Sequence, residues 1–306
     1  MRQKLLKLRR QIKNDKPLIH CITNPISIHD CANVILAVGA RPIMAEHPAE
    51  VEGITDSAGA LMLNLGNITD ARIRSMKRSM RTAVEKNIPV LLDLVGVACS
   101  DLRLDLAREL LSIGHPAVLK GNMSELLAVS GLPSHAIGID AGEQDALTGE
   151  NMEAISDVLR AFSRNNQAVV LATGKQDFVT DGEQIVLIGN GTPELSGITG
   201  TGCMVGALTA AFLPGCNTAG YDSSGNTAEE MLNAGSGSWS GSEAQTDRQL
   251  GNYLEAAVLG TALMGIAGEE AEKISRGPGS FQVNLLDEIY GIADEQFVEK
   301  LKIQSC

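Results

Sequence analysis

Short apolar runs alternate along the chain with longer stretches whose apolar positions recur at helical spacing. The runs at 41–44, 60–64 (ALMLN), 89–94 (PVLLDL), 117–120 and 168–172 (AVVLA) are too short for helices and nearly uninterrupted. That pattern predicts strands buried on both faces, as in a parallel sheet. Helical spacing predicts helices over 32–38, 69–86, 101–112, 124–130 and 151–165, and a strongly apolar one over 203–213. Segments 177–180 and 183–187 flank Asp181-Gly182, the signal of a tight hairpin. Strand–helix alternation of this kind predicts an α/β fold, a mostly parallel sheet covered by helices on both faces. One segment breaks the pattern. From Cys216 to about Leu250 the chain is polar and rich in Gly and Ser, and reads as an inserted surface loop with room for a short helix over 226–234. A long small-residue helix is expected to resume over 253–271. No internal repeat is visible, so residues 1–306 are expected to form a single domain carrying that insertion at about 216–250.

Composition narrows the partners. The chain is 44% hydrophobic and 20% charged, ample for a large core. Its formal net charge of -12 argues against nucleic acid and anionic membranes, which need a basic surface. It leaves room for an anion held locally by backbone N–H groups and a metal ion. No apolar run approaches the ~18 residues of a membrane span, and the basic start, Met1 to Lys16, lacks the apolar centre of a secretory signal. The six cysteines show no C-x-x-C spacing, which fits free thiols in a reducing cytosol.

The strongest chemical signal is SGITGTGC, residues 196–203, running directly into the apolar helix. Gly200 and Gly202 let backbone N–H groups turn toward a ligand, and the helix start adds its unpaired N–H groups and dipole. The product is an anion hole suited to a transferring phosphoryl group. It lacks the G-x-x-x-x-G-K-[ST] spacing of a P-loop, and a Gly-rich turn before a helix is in itself commonplace. Cys203, in the first helical turn, is expected to have a lowered pKa and to partner an attacking hydroxyl; buried Cys is also an ordinary small core residue.

Asp93 closes PVLLD, and Lys120-Gly-Asn-x-x-Glu125 follows AVL. Carboxylates at the C-terminal ends of strands in an open α/β sheet lie where ligands bind. Asp93, Asn122 and Glu125 suit a hydrated Mg2+, although Asn122 and Glu125 equally fit a helix capping box. Thr173 and Gly174 form a second small-residue loop that suits a nucleotide phosphate. Asn24, at the end of HCITN, and Met44, after RPI, are candidates to line a small apolar pocket, with core packing as the plain alternative for Met44.

Taken together and in order, HCITN, RPIMAEHPAEVE, LNLGNIT, PVLLDLVGV, KGNMSE, ATGKQD, GTGCMVGAL and GPGSFQVNLLD resemble the hydroxyethylthiazole kinase family from about Lys13 to about Tyr290. The resemblance implies a ribokinase-like three-layer α/β/α sandwich without a separate lid. It also implies a cytoplasmic homotrimer with active sites between subunits. The implied reaction, in thiamine biosynthesis or salvage, moves the ATP γ-phosphoryl group to the hydroxyl of 4-methyl-5-(2-hydroxyethyl)thiazole, with Mg2+. It further implies roles residue by residue. Gly200, Gly202 and Cys203 match the catalytic loop, the cysteine standing where related sugar kinases have Asp. Met44 matches a thiazole contact, Gly200 borders the substrate, and Asn24 and Gly66 fall in segments lining the same pocket. Lys120, where the family often has Arg, and Thr173 match nucleotide contacts, and Asp93 and Glu125 match the acidic metal residues. Leu94 stands where the family usually has Pro, and Pro25 to His29 departs from the usual segment. Competing expectations are a ribokinase-like kinase for another small alcohol, such as a pyrimidine or vitamin precursor, and an ATP-dependent dehydratase of the same fold. A ligand-binding protein on a degenerate scaffold is disfavoured because Asp93, Glu125, Gly200, Gly202 and Cys203 are all present.

Overall fold

A computed structural model describes residues 1–133, 142, 152–216 and 242–305, with the backbone alone over 242–249. Among the described residues, nine strands form one sheet in the order β2-β1-β3-β4-β5-β6-β7-β8-β9. They are β1 (Leu18–Ile22), β2 (Arg41–Ile43), β3 (Ala60–Asn64), β4 (Val90–Asp93), β5 (Val118–Asn122), β6 (Val169–Thr173), β7 (Asp177–Thr180), β8 (Ile185–Ile188) and β9 (Ile303–Ser305). Strands β2 through β6 pair in parallel, and β6-β7-β8-β9 pair antiparallel. The hairpin expected at Asp181-Gly182 joins β7 to β8, with Gly182 at φ +97°.

Period-two alternation splits the strand side chains between two cores. Ile19, Cys21, Ala60, Met62, Leu91, Val169 and Leu171 point to one. Ile22, Leu61, Leu63, Val90, Leu92, Val170 and Ala172 point to the other. Helices α3 (Val51–Asp56), α4 (Asp70–Glu85), α5 (Asp101–Ile113), α6 (Met123–Val129) and α7 (Met152–Asn166) cover the second face. The first face carries α1 (Arg2–Asp15), α2 (Ile28–Ala37), α8 (Thr201–Phe212), α9 (Ser242–Ile274), α10 (Pro278–Gly291) and α11 (Asp294–Lys300). This is the three-layer sandwich expected from the alternation.

Helix α8 runs at the centre of its layer, with Cys203 through Phe212 all buried. It lies against α9 so closely that a Cβ on Gly260 would sit 2.7 Å from the Thr209 backbone nitrogen. Only glycine permits that approach.

Several expectations change. Helix α9 begins at Ser242, inside the stretch read as a surface loop, and ends at Ile274 rather than 271. SEAQTDRQ offers good helix formers that its polarity masked. The rest of the expected insertion, including the helix considered over 226–234, lies outside the described residues. Within α9, Leu250–Ile274 is long and apolar enough to cross a membrane, contrary to the reading of the apolar runs. However, 83% of its most apolar window is buried inside the protein, as in the core helix of a globular fold. Helix α1 had no strong pattern signal, because only Leu5, Leu8, Arg9 and Ile12 are buried on it.

Candidate active site

Parallel pairing places the C-terminal ends of β1, β3, β4, β5 and β6 along one edge. There the apolar runs end in polar residues. Asn64 is level with Asp93, and Asp93 with Lys120, so three polar side chains form one row across β3, β4 and β5. Residues level across a sheet share a face, and this face looks at the start of α8. The Asn64 Nδ2 donates to Asp93 Oδ2 at 3.0 Å and to Cys203 Sγ at 3.3 Å. Lys120 Nζ donates to both Asp93 oxygens at 3.1 Å.

The row is dry. Asp93 is 0% exposed, Lys120 3% and Cys203 7%. Burial works against the Lys120 charge, but the attraction of Asp93, then of Cys203 and Glu125, outweighs it and lifts the ammonium above the ordinary lysine range. Burial pushes the Asp93 carboxyl up, opposed by Lys120 and the Asn64 amide. With both oxygens against the ammonium the pair remains ionic. Burial, then the nearby Asp93 charge, raises the Cys203 thiol, and Lys120 with the Ser27 and Asn64 hydrogen bonds offsets only part of this. The lowered pKa expected for a thiol at a helix start is therefore corrected. Desolvation exceeds the benefit of the helix dipole, so Cys203 is a thiol that hydrogen-bonds, not a standing thiolate.

Gly200 caps α8 in the left-handed region at φ +91°, and a Cβ there would meet the Ser27 Cβ at 3.0 Å. A Cβ on Gly202 would lie 4.0 Å from Lys120 Nζ, which places the ammonium beside the first turn of α8. The structure thus assembles glycine loop, helix N-terminus, cysteine and cation in one place. On the β1 side, a Cβ on Gly66 would sit 2.5 Å from Asn24 Nδ2 and 2.9 Å from Asn64 Oδ1. Asn24 and Gly66 are therefore packed together beside the row. Met44 follows β2 at the edge of the sheet, half-buried against the helical core.

On the β5 and β6 side, Thr173 is level with Asn122 and its hydroxyl donates to the Gly121 carbonyl at 3.4 Å. Glu125 and Asn122 form the capping box considered from sequence. The second Glu125 oxygen accepts from the Gly96 N–H at 2.7 Å. Burial raises Glu125 to about 7 against those backbone donors. Asp177 accepts from the Gly174 N–H at 2.9 Å, fixing the small-residue loop after β6. Burial raises it to about 7 as well, with the Gly174 N–H and Lys120 pulling the other way.

Among the described residues no three His, Cys, Asp or Glu side chains converge as a metal cage. Both Asp93 oxygens face an ammonium, and each Glu125 oxygen takes a backbone N–H. Such carboxylates fit an ion that keeps its own waters and arrives with a triphosphate.

Asn64, Ser27 and Asp177 escaped the sequence reading as site residues. Asn64 carried a usable signal, since it ends ALMLN as Asp93 ends PVLLD. Ser27 had none, because its neighbour Gly200 is remote in sequence. A cavity of about 350 Å³, lined by Ile88, Pro89, Val90, His115, Pro116 and Tyr253 among others, opens where the strands begin, away from this site.

Known proteins resemble the chain throughout. The model of the hydroxyethylthiazole kinase family matches residues 9–249. Hydroxyethylthiazole kinase 1 of Clostridium botulinum (strain Loch Maree) is 42% identical over 300 residues, covering 98% of this chain and 100% of the relative. Hydroxyethylthiazole kinase of Clostridium beijerinckii is 39% identical over 300 residues, covering 97% and 95%. Among solved structures, a hydroxyethylthiazole kinase from Pyrococcus horikoshii OT3 superposes with a TM-score of 0.78 at 29% identity, covering 99% of this chain and 98% of that one. The pyridoxal kinase of Staphylococcus aureus with AMP-PCP shares the fold alone, with a TM-score of 0.54 at 13% identity over 94% and 97% of the two chains.

Proposed function

The chain belongs to the hydroxyethylthiazole kinase family, and from that premise we propose that it transfers the ATP γ-phosphoryl group to the hydroxyl of 4-methyl-5-(2-hydroxyethyl)thiazole in thiamine salvage. The observation that carries the reading is the buried row Asn64–Asp93–Lys120, set against the glycine-capped start of α8 with Cys203 on it.

The roles proposed for the residues combine the family resemblance with that geometry. The thiazole ring lies on the side of Asn24, Gly66 and Met44, and the triphosphate on the side of Lys120 and Thr173. The hydroxyl oxygen forms its bond to the γ-phosphorus as the bond to the bridging β–γ oxygen breaks, ADP leaves, and the hydroxyl proton passes to an oxygen of the transferred phosphoryl group. Charge on the transferring group is met by the N–H groups of Gly200 to Cys203 and by the Lys120 ammonium. Lys120 is pre-oriented by Asp93, so little reorganisation is needed when a phosphate arrives. Cys203, as a thiol, orients the acceptor hydroxyl. A strong base is unnecessary, because phosphoryl transfer depends mainly on positioning and charge stabilisation. Asp93 and Glu125 would hold a divalent ion arriving with ATP, Mg2+ in this reading, which would supply charge neutralisation at the phosphates.

A cytoplasmic homotrimer with sites completed between subunits rests on the family resemblance, and the exposed Ile26, Leu36, Val283 and Tyr290 offer apolar surface for a second copy.

The test is ATP consumption by the purified protein with Mg2+, with and without hydroxyethylthiazole, the product read by mass. Thiazole-dependent ADP and a phosphorylated thiazole are expected. ADP released only with a different alcohol would overturn the substrate assignment. Cys203→Asp is expected to retain turnover, whereas Gly202→Val, whose methyl groups would crowd the Lys120 ammonium, is expected to lose at least about 100-fold.

A further inference from the structure

Arg72 stands in the first turn of α4, where a cation opposes the helix dipole, and arginine is seldom fully buried unless paired. It is nevertheless 2% exposed. Its guanidinium meets three loops, with Nε alone left without a hydrogen bond. Nη1 donates to the Gly66 carbonyl at 3.2 Å and to the Asn67 carbonyl at 2.8 Å. Nη2 donates to the Thr23 carbonyl. Nε faces Glu46 Oε2 at 3.2 Å. Burial lowers the Arg72 pKa and Glu46 raises it in part, yet a guanidinium keeps its proton in proteins.

Those partners follow β1, β2 and β3, three neighbouring strands. They adjoin Asn24, Met44 and Gly66, the residues assigned to the alcohol. The same loops bind each other. Asn67, held at φ +47°, donates through Nδ2 to Asn24 Oδ1 at 3.0 Å. The Glu46 carbonyl also accepts from Ser75 of α4 at 2.8 Å. Among the described residues, no contact of Arg72 reaches the loops after β5 and β6, the side assigned to the nucleotide. A planar fork with five donors can bridge several carbonyls at once, and a lysine ammonium on a flexible stem cannot hold the same set.

We propose that Arg72 is a positioning residue for the acceptor alcohol. It fixes the three loops that shape the alcohol pocket and leaves the nucleotide half of the site to be set independently. The proposal rests on the placement of the alcohol given above.

Arg72→Lys and Arg72→Ala test it. With ATP and hydroxyethylthiazole varied in turn, KM for the alcohol is expected to rise about 10- to 100-fold, the penalty typical of an ångström-scale misplacement. KM for ATP is expected to stay within about twofold. Ethylguanidinium added to Arg72→Ala is expected to lower the alcohol KM again, since it restores the fork. Amide exchange in ATP alone is expected to quicken over 23–27 and 66–69 and to stay unchanged over 173–177. An equal rise in both KM values, or an unchanged alcohol KM in a folded variant, overturns the proposal. If Arg72→Ala does not fold, Arg72→Lys decides by the same split. The exchange measurement needs no acceptor. If the wild type phosphorylates a different alcohol, the substrate reading fails while the exchange pattern and the KM for that alcohol still judge Arg72.

Discussion

Six strands, from β2 to β6 in sheet order, run in parallel and end on one edge, while β7, β8 and β9 alternate in direction across the other third of the sheet. The polar groups of the two regions serve different ends. In the parallel region they come from successive strand ends, lie in one row and face a helix start. In the antiparallel region Asn190 donates to Glu269 Oε1 at 3.2 Å and to the Lys300 carbonyl at 2.9 Å. It also accepts from the Lys302 N–H at 2.8 Å, and Lys302 Nζ pairs with Glu269 at 3.0 Å. That cluster ties the end of β8, the helix α9 and the approach to β9 together. The contrast follows from connectivity. Crossover helices return every parallel strand in the same direction, so their C-terminal ends gather. Hairpins reverse direction, so no shared edge forms.

The sharpest way to break this comparison is Asp93→Ala. Removing the carboxylate leaves the Lys120 ammonium buried without its partner, which should cost about 3–5 kcal/mol in urea unfolding. It should also lower thiazole-dependent ADP release by at least about 100-fold. The double substitution Asp93→Leu with Lys120→Met should recover most of the stability and none of the turnover, because an apolar pair replaces the ion pair without replacing its charge. Recovery of turnover would mean that the row is structural, like its antiparallel counterpart.

The complementary change is Asn190→Ala. It should cost about 1–3 kcal/mol by leaving the Lys302 N–H and the Lys300 carbonyl short of a partner, with KM and kcat both within about twofold of wild type. A selective change in KM for either substrate would show that the antiparallel region shapes the site after all.

The smallest effect concerns Asp177, at the junction of the two regions. Its folded pKa of about 7 lies above the ordinary 3.8, so folding favours the protonated acid. The contribution is fully present below pH 3.8 and is lost as pH rises through 7. Asp177→Asn should remove that loss and narrow the decline in unfolding free energy from urea titration by about 1–2 kcal/mol across the window, less than full conversion because the side chain is only half-buried. An unchanged pH profile would place the titration elsewhere.

Much of this was legible along the chain, for specific reasons. ALMLN, PVLLD and AVVLA could be read as strands because burial on both faces demands uninterrupted apolar residues. Asp93 was legible because a lone carboxylate at the end of such a run has to meet a partner. Gly200, Gly202 and Cys203 stood out because two glycines before an apolar helix are a local arrangement. Arg72 and Ser27 were silent, since their partners lie at remote positions and their residue types are ordinary on a helix or in a turn. The N-terminal helix was silent because few of its residues are buried.

What the sequence determined by itself is the layering: local periodicity decides which segments are strands or helices and which faces turn inward, because burying apolar surface acts on each segment separately. What only the tertiary structure decided is the state of the charges. Whether Cys203 is a thiol, whether Lys120 is free or held by Asp93, and which loops Arg72 joins depend on desolvation and on distances of a few ångströms between residues far apart in the chain, and no local pattern encodes those distances.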